Sequence, residues 1–162
     1  MIPMKSYKPT PEVVAIVEEN RQNQPDIFNK IEALIGEGYA HFLSGGALGM
    51  DMFAAEAVVD LKEKYPWIIL EMVSPFDAQA DRWNEEYRMR HDRLFATADI
   101  VTAIGHEYTK ACMFRRNHYL VDNADLLLAA YDGQPGGTAM TVAYAAEIGV
   151  PVQRIFPTTL VA

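Results

Sequence analysis

A chain of 162 residues, half of them apolar, is long enough to bury the core of one domain and too apolar to stay disordered. Its formal net charge of −8 argues against a broadly basic face that holds nucleic acid by its phosphates, so nucleic acid is not an expected partner. The single cysteine, Cys112, excludes an intrachain disulfide and a cysteine-built zinc site, and His41, His91, His106 and His118 lack metal-ligand spacing; no signal-peptide or membrane-length apolar run is present, so the expected setting is the cytoplasm, with no metal and no membrane partner.

The first 25 residues read as an irregular segment punctuated by Pro3, Pro9, Pro11 and Pro25, within which 11–19 can form a short helix. Asp26 predicts an N-cap for a helix with Ile27, Ile31, Leu34 and Ile35 on one face, ended by Gly36 and Gly38. Residues 39–43 read as a strand, followed by the glycine-rich turn 44–51 (Ser44-Gly45-Gly46-Ala47-Leu48-Gly49-Met50-Asp51). A helix then starts near Met50 with Phe53, Ala54, Ala57, Val58 and Leu61 as its apolar stripe. A second strand is predicted over 67–73, a helix over 81–98 with Trp83, Tyr87, Leu94 and Phe95 facing the core, and a third strand over 99–104. A helix over 114–123, a strand over 125–131, a second glycine-rich turn over 131–138, an alanine-rich helix over 138–148 capped by Gly149 and a last strand over 151–156 complete the chain.

Alternating strands and helices predict a single α/β domain over 1–162: a three-layer, Rossmann-like parallel sheet of about five strands flanked by helices. Ligands of such sheets bind beyond the carboxyl ends of the strands, where both glycine turns are expected. Glycine lets backbone amides approach a ligand closely, and the helix that follows points its positive end at it. A pair of such turns at one sheet edge predicts a pocket for a phosphate-bearing ligand; the plainer alternative is two tight strand-to-helix connections.

Ser44, Gly46 and Gly49 occupy the positions of a dinucleotide-binding glycine fingerprint, with serine for the first glycine. The acid that should follow at the end of the next strand is missing, because Glu71 falls inside that strand, so an ordinary NAD-dependent dehydrogenase is not indicated. Gly45, Gly46 and Gly49 remain the expected phosphate-binding positions. Asp51 can accept a hydrogen bond from a ribose hydroxyl or cap the helix. In the second turn Gly136, Gly137 and Thr138 open a helix, where Thr138 can cap it or offer its hydroxyl to a phosphate. Asp132 can bind ribose, orient water or make an Asx turn.

The segments 44–56 and 112–145 resemble the SLOG superfamily, the Rossmann-like group that includes DprA and the LOG cytokinin-activating hydrolases. Within it the resemblance is to the YpsA-like branch of bacteria and their phages. The run Cys112-Met113-Phe114-Arg115-Arg116-Asn117-His118-Tyr119-Leu120-Val121-Asp122 resembles one segment of that branch. A second is matched by the run from Asp125 through Tyr131-Asp132-Gly133, Gly136-Gly137-Thr138 and Thr141-Val142-Ala143-Tyr144-Ala145. The resemblance implies a mononucleotide or ADP-ribose-like ligand between the two turns, with no other cofactor, held by Ser44, Gly45, Gly46, Gly49, Asp51, Arg116, Asp132, Gly136, Gly137 and Thr138. Arg116 stands where the LOG hydrolases carry a functional arginine, and guanidinium suits phosphate bidentately. Their catalytic glutamate has no counterpart after Gly136-Gly137. Binding is therefore favoured over turnover; the alternative is a LOG-type N-glycosidase in which Asp132 or Asp51 replaces that acid, leaving Asp132 and Arg116 as the catalytic candidates.

The branch opens with an apolar strand running into Gly-His-Arg-Pro or Gly-Tyr-Lys-Pro. Ser6-Tyr7-Lys8-Pro9 resembles that motif after only a few residues that include Pro3, so the N-terminal strand is expected to be truncated or replaced by loop. Lys8 is then an anion contact or an exposed terminal lysine. Two further expectations are a homodimer through Trp83, Tyr87 and Tyr119, and, as the weakest reading, DprA-like binding of single-stranded nucleic acid. Tyr108 and Phe114 would stack bases in that last reading, although core or interface packing explains them better.

Overall fold

The protein is described from a computed structural model covering residues 25–130 and 136–155. Lys8, the N-terminal strand, the 11–19 helix and Asp132 lie outside the described residues. In chain order the elements are α1 (Pro25–Gly36), β1 (His41–Ser44), α2 (Met50–Lys64), β2 (Ile69–Ser74), α3 (Glu85–Thr97), β3 (Ile100–Ala103), α4 (Cys112–Asp122), β4 (Leu127–Ala130), α5 (Gly137–Ile148) and β5 (Val152–Ile155).

The α/β expectation holds: every strand pair is parallel and helices flank the sheets, as in a Rossmann-like three-layer fold. The described strands fall into two groups rather than one continuous ladder. β1, β2 and β3 lie side by side with Ser44 opposite Met72 and Ser74 opposite Ala103, while β4 pairs with β5 from Leu127–Val152 to Ala130–Ile155. A common core joins them, since Leu128 of β4 and Ile155 of β5 pack against the cluster formed by α1, α2, α3 and β2.

β2 is the central strand, and Leu70, Glu71, Met72 and Val73 are all buried, as expected of a strand covered on both faces. β3 departs from that expectation: it alternates, and Val101 is 53% exposed, because among the described residues β3 lies at the edge of its sheet and one of its faces is left uncovered. The apolar stripe of α1 packs as its spacing predicts, with Ile27, Ile31, Leu34 and Ile35 buried. Each such side chain contributes about 1.5–3 kcal/mol on burial.

The starts of α1 and α3 differ from expectation for identifiable reasons. Asp26 does not cap α1, which begins at Pro25, where a fixed φ suits the first helical position; Asp26 sits in the first turn and complements the dipole. α3 starts at Glu85 rather than 81, because the Asn84 side chain accepts the Tyr87 amide at 3.0 Å and sets the N-terminus there. Before it, Gln79, Asp81 and Trp83 donate back to Phe76, Ala78 and Ala80 in successive turns. This folds 75–84 into a compact loop over the carboxyl end of β2.

Buried charges lock the helices to the sheet. The Arg90 guanidinium on α3 pairs bidentately with Glu56 on α2 and lies over the rings of Phe53 and Tyr87. Lys62 of α2 pairs with Asp99, whose carboxylate also accepts the Leu70 amide at 2.9 Å.

Candidate functional site

The first glycine turn leaves β1 and enters α2, and its own side chains hold it shut. The Ser44 hydroxyl donates to the Asp51 carbonyl at 2.9 Å and accepts the Gly46 amide at 3.2 Å. The Asp51 carboxylate takes the Ala47 amide. The Gly46 amide, expected to face a ligand, is thus turned to Ser44. Gly49, at φ 89°, caps α2 in a conformation that a side chain would strain, and no side chain caps the helix after it.

Arg116 comes to this turn from α4. It is 3% exposed, and its Nη1 donates to the Gly45 carbonyl at 2.7 Å while its Nε donates to the Asn117 side chain at 2.9 Å. Gly45 is required for this approach, because a Cβ there would lie 2.3 Å from Nη1. Among the described residues Nη2 of Arg116 has no hydrogen-bond partner. Burial lowers the Arg116 pKa, opposed by the nearby Asp51 and Cys112. Burial also pushes the Asp51 carboxyl up, and the Arg116 charge and the Ala47 amide only partly offset it.

The loop after β2 supplies a residue that sequence reading missed. Gln79 donates to the Gly45 carbonyl at 3.4 Å, and its buried Oε1 has no partner among the described residues. A lone glutamine in a loop carries no periodic or motif signal. A second missed group surrounds Glu71. This buried carboxylate accepts from the Thr102 hydroxyl at 2.8 Å and the Tyr119 hydroxyl at 2.7 Å, and meets the His41 ring at 2.9 Å. The hydrogen bond to Glu71 raises the Tyr119 pKa. Glu71 is engaged inside the sheet, consistent with its failure to match the ribose-binding acid of a dinucleotide fold.

The second turn is described from Gly136 onward. Gly136, Gly137 and Thr138 are all exposed. Thr138 is not the cap of α5: it lies inside the helix, Gly136 holds the cap position at φ 150°, and no side chain bonds there. α4 links the two ends of the molecule. It gives Arg116 to the first turn, while His118 stacks on Tyr144 of α5 at 3.6 Å and the Tyr144 hydroxyl donates to Asp122 at 2.6 Å. The structure thus brings Ser44, Gly45, Gly46, Asp51 and Arg116 into direct contact, and connects the second turn to them through the α4–α5 packing.

A family model described as the YspA SLOG family matches residues 22–153, which takes in every described site residue. The chain belongs to the YspA SLOG family. It is 33% identical to a UPF0398 protein of Bacillus pumilus over 70% of its own length and 62% of that relative's. A UPF0398 protein of Halalkalibacterium halodurans is 38% identical, with 67% of this chain and 59% of that protein covered. The SPbeta prophage-derived protein YoqJ of Bacillus subtilis is 30% identical, with 78% and 82% covered. The chain therefore spans about three-fifths of the length of the first two relatives.

Among the described residues no group of three or more His, Cys, Asp or Glu side chains is disposed to hold a metal, and no helix is long and apolar enough to cross a membrane. Of the three residues expected to support self-association, Trp83 and Tyr87 pack partly buried against the core and Tyr119 bonds Glu71.

Proposed function

We propose that this chain binds a nucleotide or nucleotide-derived anion, a mononucleotide or an ADP-ribose-like molecule, in a sensing or regulatory role, with a phosphate at the first glycine turn. One observation carries the reading: a buried guanidinium is fixed against the Gly45 carbonyl beside a helix start that no side chain caps. A fixed cation and a helix N-terminus on one turn favour an anion. Nη2 of Arg116 is the donor left for it, and the unpartnered Gln79 Oε1 is an acceptor for a ligand hydroxyl.

Thermal shift with adenosine 5′-monophosphate, ADP-ribose and inorganic phosphate tests the proposal. A nucleotide-dependent rise in Tm that Arg116→Lys abolishes is the expected result. No shift with any of the three ends it.

The raised pKa of Asp51 favours a second reading. A carboxyl that burial keeps protonated to higher pH is suited to general acid work, so Asp51 can replace the missing LOG glutamate in an N-glycosidase. Chromatography of free base after incubation with nucleoside monophosphates and NAD decides between them: base release lost in Asp51→Asn supports the enzyme, and none from the native protein supports binding alone.

A further inference from the structure

Beyond the first turn, the loops after β2 and β3 join into one aromatic shelf. The Asp77 amide donates to the His106 carbonyl at 3.2 Å, and the His106 ring meets the Asp77 carboxylate at 3.2 Å. The Ser74 hydroxyl donates to the Phe76 carbonyl at 2.9 Å. Gly105 passes close to the Pro75 carbonyl, where a Cβ would lie 3.5 Å from that oxygen and 3.9 Å from Nη2 of Arg115. These contacts hold Phe76 edge-on to Tyr108, with centroids 5.4 Å apart and planes at 78°. Tyr108 is nevertheless 67% exposed. Core packing does not explain Tyr108: it is braced on one edge and open on most of its surface.

The loop that carries Phe76 also carries Gln79, whose side chain reaches the Gly45 carbonyl at 3.4 Å. The loop under the shelf is thus tied directly to the first glycine turn. Because β1, β2 and β3 lie side by side, the carboxyl ends of β1 and β3 are about 10 Å apart, two strand spacings. Gly45 lies on the turn leaving β1 and Tyr108 on the loop leaving β3, so both stand at the same end of the sheet, as a ligand with phosphate at one end and a flat ring at the other requires.

Resting on the nucleotide reading above, we infer that Tyr108, braced by Phe76, is the stacking surface for the base of a mononucleotide whose phosphate sits at Gly45 and Arg116. The ligand class then narrows from any sugar phosphate to one that carries an aromatic base. The net charge of −8 favours a single nucleotide over a polynucleotide here.

Calorimetry with adenosine 5′-monophosphate and ribose 5-phosphate on native protein, Tyr108→Ala and Tyr108→Phe tests this. Stacking of a base on an aromatic side chain predicts that the native protein prefers the nucleotide by about tenfold or more. Tyr108→Ala should reduce that preference to about twofold or less with ribose 5-phosphate affinity unchanged, and Tyr108→Phe should keep it. Equal affinity of the native protein for the two compounds overturns the inference and leaves the phosphate site standing. So does a preference that survives Tyr108→Ala. Tighter binding of a single-stranded oligonucleotide than of the mononucleotide overturns it as well. If neither compound binds, the nucleotide reading falls and this inference with it.

Discussion

At the first glycine turn Gly45 is pressed against a buried guanidinium, whereas at the second no atom of the described residues lies within 4 Å of where a Cβ on Gly136 or Gly137 would stand. The helices behind the turns differ in the same way. α2 buries eight of its residues, among them Glu56 and Lys62, while α5 buries Ala145 alone among its described residues and exposes Met140 and Ile148. Two turns alike in composition therefore do different work. Glycine at the first is demanded by a neighbour's approach; at the second it is demanded only by the backbone conformation of Gly136.

Arg116→Ala is the hardest test of that contrast. It removes the buried guanidinium with its hydrogen bonds to the Gly45 carbonyl and the Asn117 side chain, and a loss of about 2–5 kcal/mol in urea unfolding is expected. Gly45→Ala should come next, costing about 1–3 kcal/mol as the guanidinium is displaced from the Gly45 carbonyl. At the second turn Gly137→Ala should be neutral or stabilising by up to about 1 kcal/mol, since a helical glycine there is replaced in open space. Equal losses at the two glycines would erase the distinction.

Asp51 sharpens the comparison through pH. Its folded pKa is raised above the ordinary value of 3.8, chiefly by burial. The stability it contributes is therefore fully present below pH 3.8 and is lost as pH rises through the higher folded value. Asp51→Asn should raise Tm at pH 7.5, with the gain vanishing as pH falls below 3.8. Such a gain would identify a carboxylate kept at a cost to folding, as functional sites commonly are. The smallest effect is expected on α5, where Met140→Lys should change stability by no more than about 0.5 kcal/mol. A larger loss would show that this face is covered.

Periodicity was enough for the class of fold and for most elements. The spacing of Ile27, Ile31, Leu34 and Ile35 places α1, and the apolar run ending at Val73, broken only by Glu71, places β2, because burial of a face writes itself into composition. Element ends were less legible. Nothing in the pattern said that Asn84 would cap α3, since that depends on one side chain bonding one amide. The glycines and the α4 arginine of the site are legible as motifs, because a glycine-rich turn before a helix and an arginine on the helix facing it are local sequence features.

What the chain determined by itself was the order of strands and helices and the residue types gathered near their junctions, because hydrophobic spacing and turn chemistry act over a few neighbours. Only the tertiary structure decided that Arg116 meets Gly45 from a helix 71 residues on, and that Glu71 is engaged by three other elements. Those contacts join segments distant in sequence. They follow from which surfaces are close after the core has formed, and no local pattern encodes that proximity.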